Sequence, residues 1–189
     1  MRIAVDAMGG DHAPAHPVDG AVTAARNHGL AIDLIGRESA IRAELERHPD
    51  MADLDVRVID APDVIEMSES PAKALRRKPG ASIRVAAEHV AAGRAVAMFS
   101  AGHTGASVVA AHAAFGMLPG VDRPALAPTV PTRGGAAVLL DAGARWNASR
   151  GTCCSLRRWA RLTRGSAWAS SSRGLGCCRS ARKKRRAMS

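Results

Sequence analysis

Short apolar runs and amphipathic stretches alternate along the first 140 residues. Arg2–Asp6 is a brief apolar run bounded by Gly9-Gly10, which predicts a buried first strand. Pro17 opens an alanine-rich helical stretch over Val18–His28, and Gly29 falls where a left-handed C-terminal residue is expected. Ala31–Ile35 predicts a second strand. Glu38–Arg47 predicts a helix with Ala40, Ile41 and Leu45 on one face. Val56–Ile59 reads as a strand, and Ser70-Pro71 as the cap and first residue of a short helix through Arg77. Ser82–Ala92 is a further helix, closed by Gly93. A strand over Ala95–Phe99, a helix over Thr104–Phe115 and strands at Leu126–Val130 and Ala137–Leu140 complete the series. Strands alternating with helices at this spacing predict an α/β fold of three layers, a mostly parallel sheet flanked by helices.

Composition divides the chain. Residues 1–144 carry 14 basic and 17 acidic residues and no cysteine. Residues 145–189 carry 13 basic residues, no acid, all four cysteines and all three tryptophans. The overall charge of +10 therefore belongs to the tail alone. An aspartate at position 6 breaks up any signal-peptide apolar region, and no apolar run reaches the ~20 residues of a membrane span, so a cytoplasmic location is expected. Cys153-Cys154 and Cys177-Cys178 are adjacent pairs, which suit neither a zinc knuckle nor a spaced disulfide framework.

Ligands in open α/β sheets collect beyond the carboxyl ends of strands, which directs attention to four loops. The first, Asp6–Pro14, combines Gly9 and Gly10 with the titratable Asp6, Asp11 and His12; its bland reading is a tight turn with solvated acids. The second, Ser100–Ala106, offers main-chain N–H groups around Gly102 and Gly105 at a helix start, with Ser100, His103 and Thr104 as polar side chains. It is neither a Walker loop nor a dinucleotide fingerprint, and an ordinary strand-to-helix turn is the alternative. The third, Pro131–Gly135, sets Arg133 among Thr132, Gly134 and Gly135, a composition suited to phosphate; a solvated arginine in a hairpin-like connection is the alternative. The fourth, Ser70–Lys78, presents Lys73, Arg76, Arg77 and Lys78, either a plain charged face or a contact for an acidic partner. His89 and His112 lie on helices and read as packing or surface residues. No GxSxG elbow occurs, which favours direct transfer over a covalent acyl-enzyme.

These loops, in this order, resemble the bacterial phosphate acyltransferase family of fatty acid and phospholipid synthesis. The matching segments are DAMGGDHAP at Asp6–Pro14, APDVIEMSESPAKALRRK at Ala61–Lys78, SAGHTGA at Ser100–Ala106, LPGVDRPAL at Leu118–Leu126 and PTRGGAAVLLDAG at Pro131–Gly143. His103 departs from the family pattern, which has asparagine there. The resemblance implies a fold similar to phosphotransacetylases and isocitrate-type dehydrogenases, usually as a homodimer. It implies transfer of a long acyl chain from acyl-(acyl-carrier protein) to inorganic phosphate, the acyl-phosphate then passing to a membrane glycerol 3-phosphate acyltransferase. The implied enzyme is cytoplasmic, and peripheral at the membrane in full-length members. Asp6, Asp11, His12 and His103 are then the candidates for proton transfer. Gly9, Gly10, Ser100, Gly102, Thr104, Gly105, Thr132, Arg133, Gly134 and Gly135 become candidates for holding phosphate. Lys73, Arg76, Arg77 and Lys78 become candidates for meeting the acidic carrier. No metal, cofactor or specific nucleic acid is called for. A phosphotransacetylase-like enzyme acting on acyl-coenzyme A is the competing enzymatic reading; nucleic-acid binding by the basic tail is the non-enzymatic one.

The motif-level resemblance ends at Ala144. Read one base out of register, the codons of the tail restore a familiar pattern: Trp159-Ala160 and Trp168-Ala169 each force a glycine, and each cysteine pair forces a leucine. The expectation is thus a family body over residues 1–144 followed by a frameshifted tail over 145–189, disordered for want of an apolar period, in a chain that is itself inactive. Strands near Leu126–Leu140 would then lack neighbours.

Overall fold

In the computed structural model, the described residues are 1–117, 119, 124, 126–133 and 135–138. They fall in two units, Met1–Gly116 and the part from Met117 onward, each considered by itself.

The first unit is built on four parallel strands: β1 (Arg2–Asp6), β2 (Ala31–Gly36), β3 (Val56–Asp60) and β4 (Ala97–Ser100), in the order β3-β2-β1-β4. Between them run α1 (Ala15–His28), α2 (Glu38–Leu45), α3 (Pro71–Arg77) and α4 (Ser82–Ala91); α5 (Thr104–Phe115) follows β4. The sheet runs outward from β1 to β3, then returns to place β4 on the other side of β1. Right-handed crossovers put the helices of the outward path on one face and those of the return path on the other, because a twisted strand feeding a helix packs back onto the sheet in only one hand. The packing on the two faces agrees with this. Val5, Ile32 and Leu34 pack with Val18 and Val22 of α1 and Ile41 of α2. Ala4 and Ile35 join Ala86 of α4 on the opposite face. The result is the expected three-layer α/β arrangement. Alternate strand residues point to opposite faces, and both faces are covered, so β1 and β2 read as continuous apolar runs rather than alternating ones.

Helix ends follow local chemistry. Gly29 (φ 60°) and Gly93 (φ 69°) take the left-handed conformation that closes the helices before them. α1 begins three residues earlier than expected, since Pro17 is tolerated within a first turn. Ser70 stands at the cap position of α3, but its side chain makes no capping hydrogen bond. His89 is a buried residue of α4, 8 % exposed, and His112 an exposed one of α5.

The second unit corrects the reading of the last strands. Instead of Leu126–Val130 and Ala137–Leu140, the strands are β5 (Thr129–Thr132) and β6 (Gly135–Val138). They pair antiparallel with each other, Thr132 opposite Gly135. Two residues separate them, a length that closes a hairpin and cannot carry a parallel crossover. These strands therefore have neighbours in one another. Leu139–Ser189, including the whole basic tail and its expected disorder, lie outside the described residues.

Candidate anion site at the β1–β4 switch point

The reversal of strand order beside β1 opens a crevice between the carboxyl ends of β1 and β4, the place where α/β sheets take ligands. The first two glycine-rich loops meet there. Asp6, the last residue of β1, is only 4 % exposed. Its Oδ1 accepts the Met8 N–H at 3.1 Å and its Oδ2 accepts the Ser100 hydroxyl at 2.7 Å. The Ser100 Oγ in turn accepts the Gly102 N–H at 3.1 Å. This chain of bonds ties the turn after β1 to the turn after β4. Gly9 makes the approach possible: a Cβ there would lie 2.7 Å from Asp6 Oδ2 and from Ser100 Oγ.

His103 caps α5. Its Nδ1 accepts the Gly105 N–H at 3.1 Å, satisfying one of the donors that a helix start leaves without a partner.

A cavity of about 60 Å³ sits among these groups. Asp6, Gly9, Gly10, Ser100, Gly102 and His103 line it, and its far wall is the stretch Val64–Met67 with Ser82 and Ile83 at the start of α4. Two of the amides singled out in the sequence, those of Gly102 and Gly105, are occupied by Ser100 and His103. Among the described residues the N–H groups of Gly9, Gly10, His103 and Thr104 have no acceptor. Unspent donors at a helix start, with the positive end of the helix dipole, suit a small oxyanion.

The remaining candidates are distributed more widely. Asp11 and His12 are exposed and line no part of this cavity; His12 stacks obliquely on His16 with ring centres 4.5 Å apart. Thr104 is exposed at the first turn of α5. Lys73, Arg76 and Arg77 form an exposed basic face on α3. Lys78 does not join them: its Nζ donates to the Val64 carbonyl at 2.7 Å and to Glu69 Oε2 at 2.6 Å, and Glu69 also accepts the Glu66 N–H. The ammonium holds the Glu69 carboxyl below its usual range. Thr132 and Arg133 are exposed at the turn of the β5–β6 hairpin, and Gly135 begins β6. Gly134 lies outside the described residues.

Sequence reasoning about individual residues passed over Glu66 and Ser82. The signal was present, since Val64–Met67 follows β3 and falls under the same rule of strand ends that selected the other loops.

The family described as fatty acid synthesis protein matches residues 1–177, past the point where the motifs end. Among similar curated proteins, the phosphate acyltransferase of Herpetosiphon aurantiacus is 49% identical over 144 residues, 76% of this chain and 39% of that protein. That of Pelotomaculum thermopropionicum is 50% identical over 144 residues, 76% of this chain and 42% of the other. That of Deinococcus radiodurans is 45% identical over 162 residues, 86% and 44% of the two chains. The chain thus spans about two fifths of the length of the curated relatives it matches.

Proposed function

The chain belongs to the fatty acid synthesis protein family, and from that premise we propose that its fold serves phosphate acyl transfer, from a long-chain acyl-(acyl-carrier protein) to inorganic phosphate. The observation that carries this reading is the small cavity at the β1–β4 switch point, lined by Gly9, Gly10 and His103, whose N–H groups have no acceptor among the described residues. In the proposed reaction a phosphate oxygen attacks the thioester carbonyl, a C–O bond forms, the C–S bond breaks, and the thiolate leaves and takes up a proton. Positioning is the main source of rate, with amide dipoles fixed before the anion arrives. The N–H groups of Gly9, Gly10, His103 and Thr104 would hold phosphate here. Asp6 acts by orienting Ser100 and the two turns, since both its oxygens are spent on them. Thr132, Arg133, Gly134 and Gly135 are proposed as phosphate-binding residues on the ground of the family resemblance alone. Lys73, Arg76 and Arg77 would meet the acidic carrier, while Lys78 is already committed to Glu69. We assign the work to the cytoplasm, with the product passed to a membrane acyltransferase and the full-length enzyme a homodimer.

The test measures acyl-phosphate formation by this chain beside a version whose reading frame is restored after Ala144. We expect turnover with acyl-carrier protein in the restored version and none in this chain. Turnover with acyl-coenzyme A alone would replace the carrier assignment. Arg133→Ala in the restored enzyme should raise the phosphate concentration needed for half-saturation; unchanged saturation and turnover would remove Arg133 from the site.

A further inference from the structure

We propose that the groove between α3, α4 and α5 seats an acidic helix of the acyl-carrier protein. The inference rests on the carrier reading above and adds to it a place and a mode of docking. The groove shares no lining residue with the cavity at the β1–β4 switch point.

Residues three and four apart on a helix share a side, so Lys73, Arg76 and Arg77 form one exposed margin of α3. Among the described residues none of the three has a carboxylate partner. Ala72 and Leu75 stand beside that margin and line the groove, and Arg76 belongs to both. Ala91 and Ala92 of α4 and Val109 and Ala113 of α5 make the other walls. α5 carries no Asp, Glu, Lys or Arg over its whole length. The two charges that α4 brings to the groove compensate each other, since Arg84 Nε lies 2.8 Å from Glu88 Oε1. The Arg84 Nη1 also donates to the Leu75 carbonyl at 3.4 Å, which ties α4 to α3. Leu75 and Ala110 pack together in the core beneath, so the floor is fixed. The result is a recess of about 650 Å³ with short apolar walls, one basic margin and no uncompensated acid.

That combination selects an occupant by charge as well as by shape. A helix laid in a groove anchors through apolar residues at i, i+3, i+4 and i+7. Short walls admit those anchors and let helix axes approach to about 8–10 Å. The cations of the α3 margin call for carboxylates along one border of the incoming helix, which fixes the face it presents. Charge on the margin speeds encounter, while the apolar contact holds the complex. A second copy of this chain brings no such helix, because α1, α2 and α4 each mix acids with bases and α5 has neither. A flat lipid surface would leave the recess unfilled.

Calorimetric titration of the intact chain with apo-acyl-carrier protein tests the docking without an acyl group or phosphate. We expect one carrier per chain and an affinity that weakens as salt rises. Arg76→Glu should weaken binding about tenfold and flatten the salt dependence. Arg57→Glu makes the same change of charge on the β3 edge and should leave the affinity within about twofold, which separates the α3 margin from net charge and from the basic tail. Ala91→Gln combined with Ala113→Gln lengthens one exposed side chain on each of two walls at constant charge, and should also weaken binding about tenfold. Equal losses for Arg76→Glu and Arg57→Glu, or full affinity in the double glutamine variant, overturn the proposal, because attraction by net charge alone predicts both. Absence of carrier binding overturns it as well. A double glutamine variant with weakened self-association and unchanged carrier affinity would hand the groove to a second copy. Any of these failures beside turnover of the acyl-carrier substrate by the frame-restored enzyme removes the groove and leaves the proposed reaction standing. Turnover with acyl-coenzyme A alone removes the carrier reading and this inference together.

Discussion

Gly20 and Gly105 both sit inside helices, yet a methyl group should have opposite consequences at the two. A Cβ at Gly20 meets nothing within 4 Å, so Gly20→Ala gains only the reduced entropy of the unfolded chain, about 0.5–1 kcal/mol. At Gly105 the same gain is opposed by His103 Cε1 at 3.0 Å and Pro71 Cγ at 3.1 Å. Moving the ring lengthens the capping bond, and a lost cap costs about 1 kcal/mol, enough to cancel the benefit. Thermal unfolding should show a raised Tm for Gly20→Ala and an unchanged or lowered one for Gly105→Ala. A gain of equal size at both positions would show that the ring moves aside freely. At Gly9 no side chain can yield cheaply, because the nearest atoms belong to the bonded Asp6–Ser100–Gly102 chain. The sequence identified Gly9 as a point of close approach. What approaches, however, is the neighbouring turn, 93 positions away at Gly102, and composition carries no information about that partner. His103 shows the same division. Its position at a helix start was legible, but its capping role required the geometry.

Elements behave as their periodicity predicts where both faces of a strand are apolar, and less so where one polar residue interrupts the run. Asp33 stands within β2, buried on the side of α4, with Arg2 Nη1 3.0 Å from its Oδ1 and His89 Nδ1 3.6 Å from its Oδ2. No window on the sequence joins these three residues. The register does so, by pairing Arg2 with Ala31, two positions before Asp33. Arg2→Met removes the main countercharge of a buried carboxylate and should destabilise the unit by on the order of 3 kcal/mol. A lowered urea midpoint at unchanged slope would show it, and a loss below 1 kcal/mol would mean that His89 or solvent compensates. The stretch Glu66–Glu69 is a second case. Lys78 lowers the Glu69 pKa from its ordinary value, so the pair contributes stability above the range of a free glutamate and loses it as pH falls through the depressed folded value. Amide hydrogen exchange over residues 64–69, corrected for its intrinsic pH dependence, should therefore accelerate on acidification below that range in the parent chain. In Glu69→Gln it should be fast already at neutral pH and should change little with acid.

At the scale of the whole molecule, the alternation of strands and helices was enough for the layer architecture but silent on strand order. Handedness fixes which face each helix covers; it does not say whether the fourth strand joins β3 or returns to β1, and the ligand crevice exists because it returns. The β5–β6 hairpin stood only as the alternative reading at Arg133, since short apolar runs look alike whether their neighbours are parallel or antiparallel. One consequence of the observed order concerns solubility. Among the described residues β4 pairs on one side only, with β1, and around it Val96 is 58 %, Phe99 55 % and Phe115 50 % exposed. α5 is apolar on all sides, yet only Ala106 and Ala110 are buried among its described side chains. The opposite edge, β3, carries Arg57 and Asp60, charges of the kind that protect an edge, whereas β4 carries none. The chain should therefore associate through β4 and α5 as its concentration rises. Sedimentation velocity can follow this in about 1 M salt, where the Debye length of about 3 Å screens the basic tail. Under those conditions Phe99→Lys should shift the distribution toward monomer, while Arg57→Lys, a charge-conserving change on the far edge, should leave it in place. A monomeric parent chain at every concentration would mean that β4 and α5 are covered within the molecule; association unaffected by Phe99→Lys would place the sticky surface elsewhere.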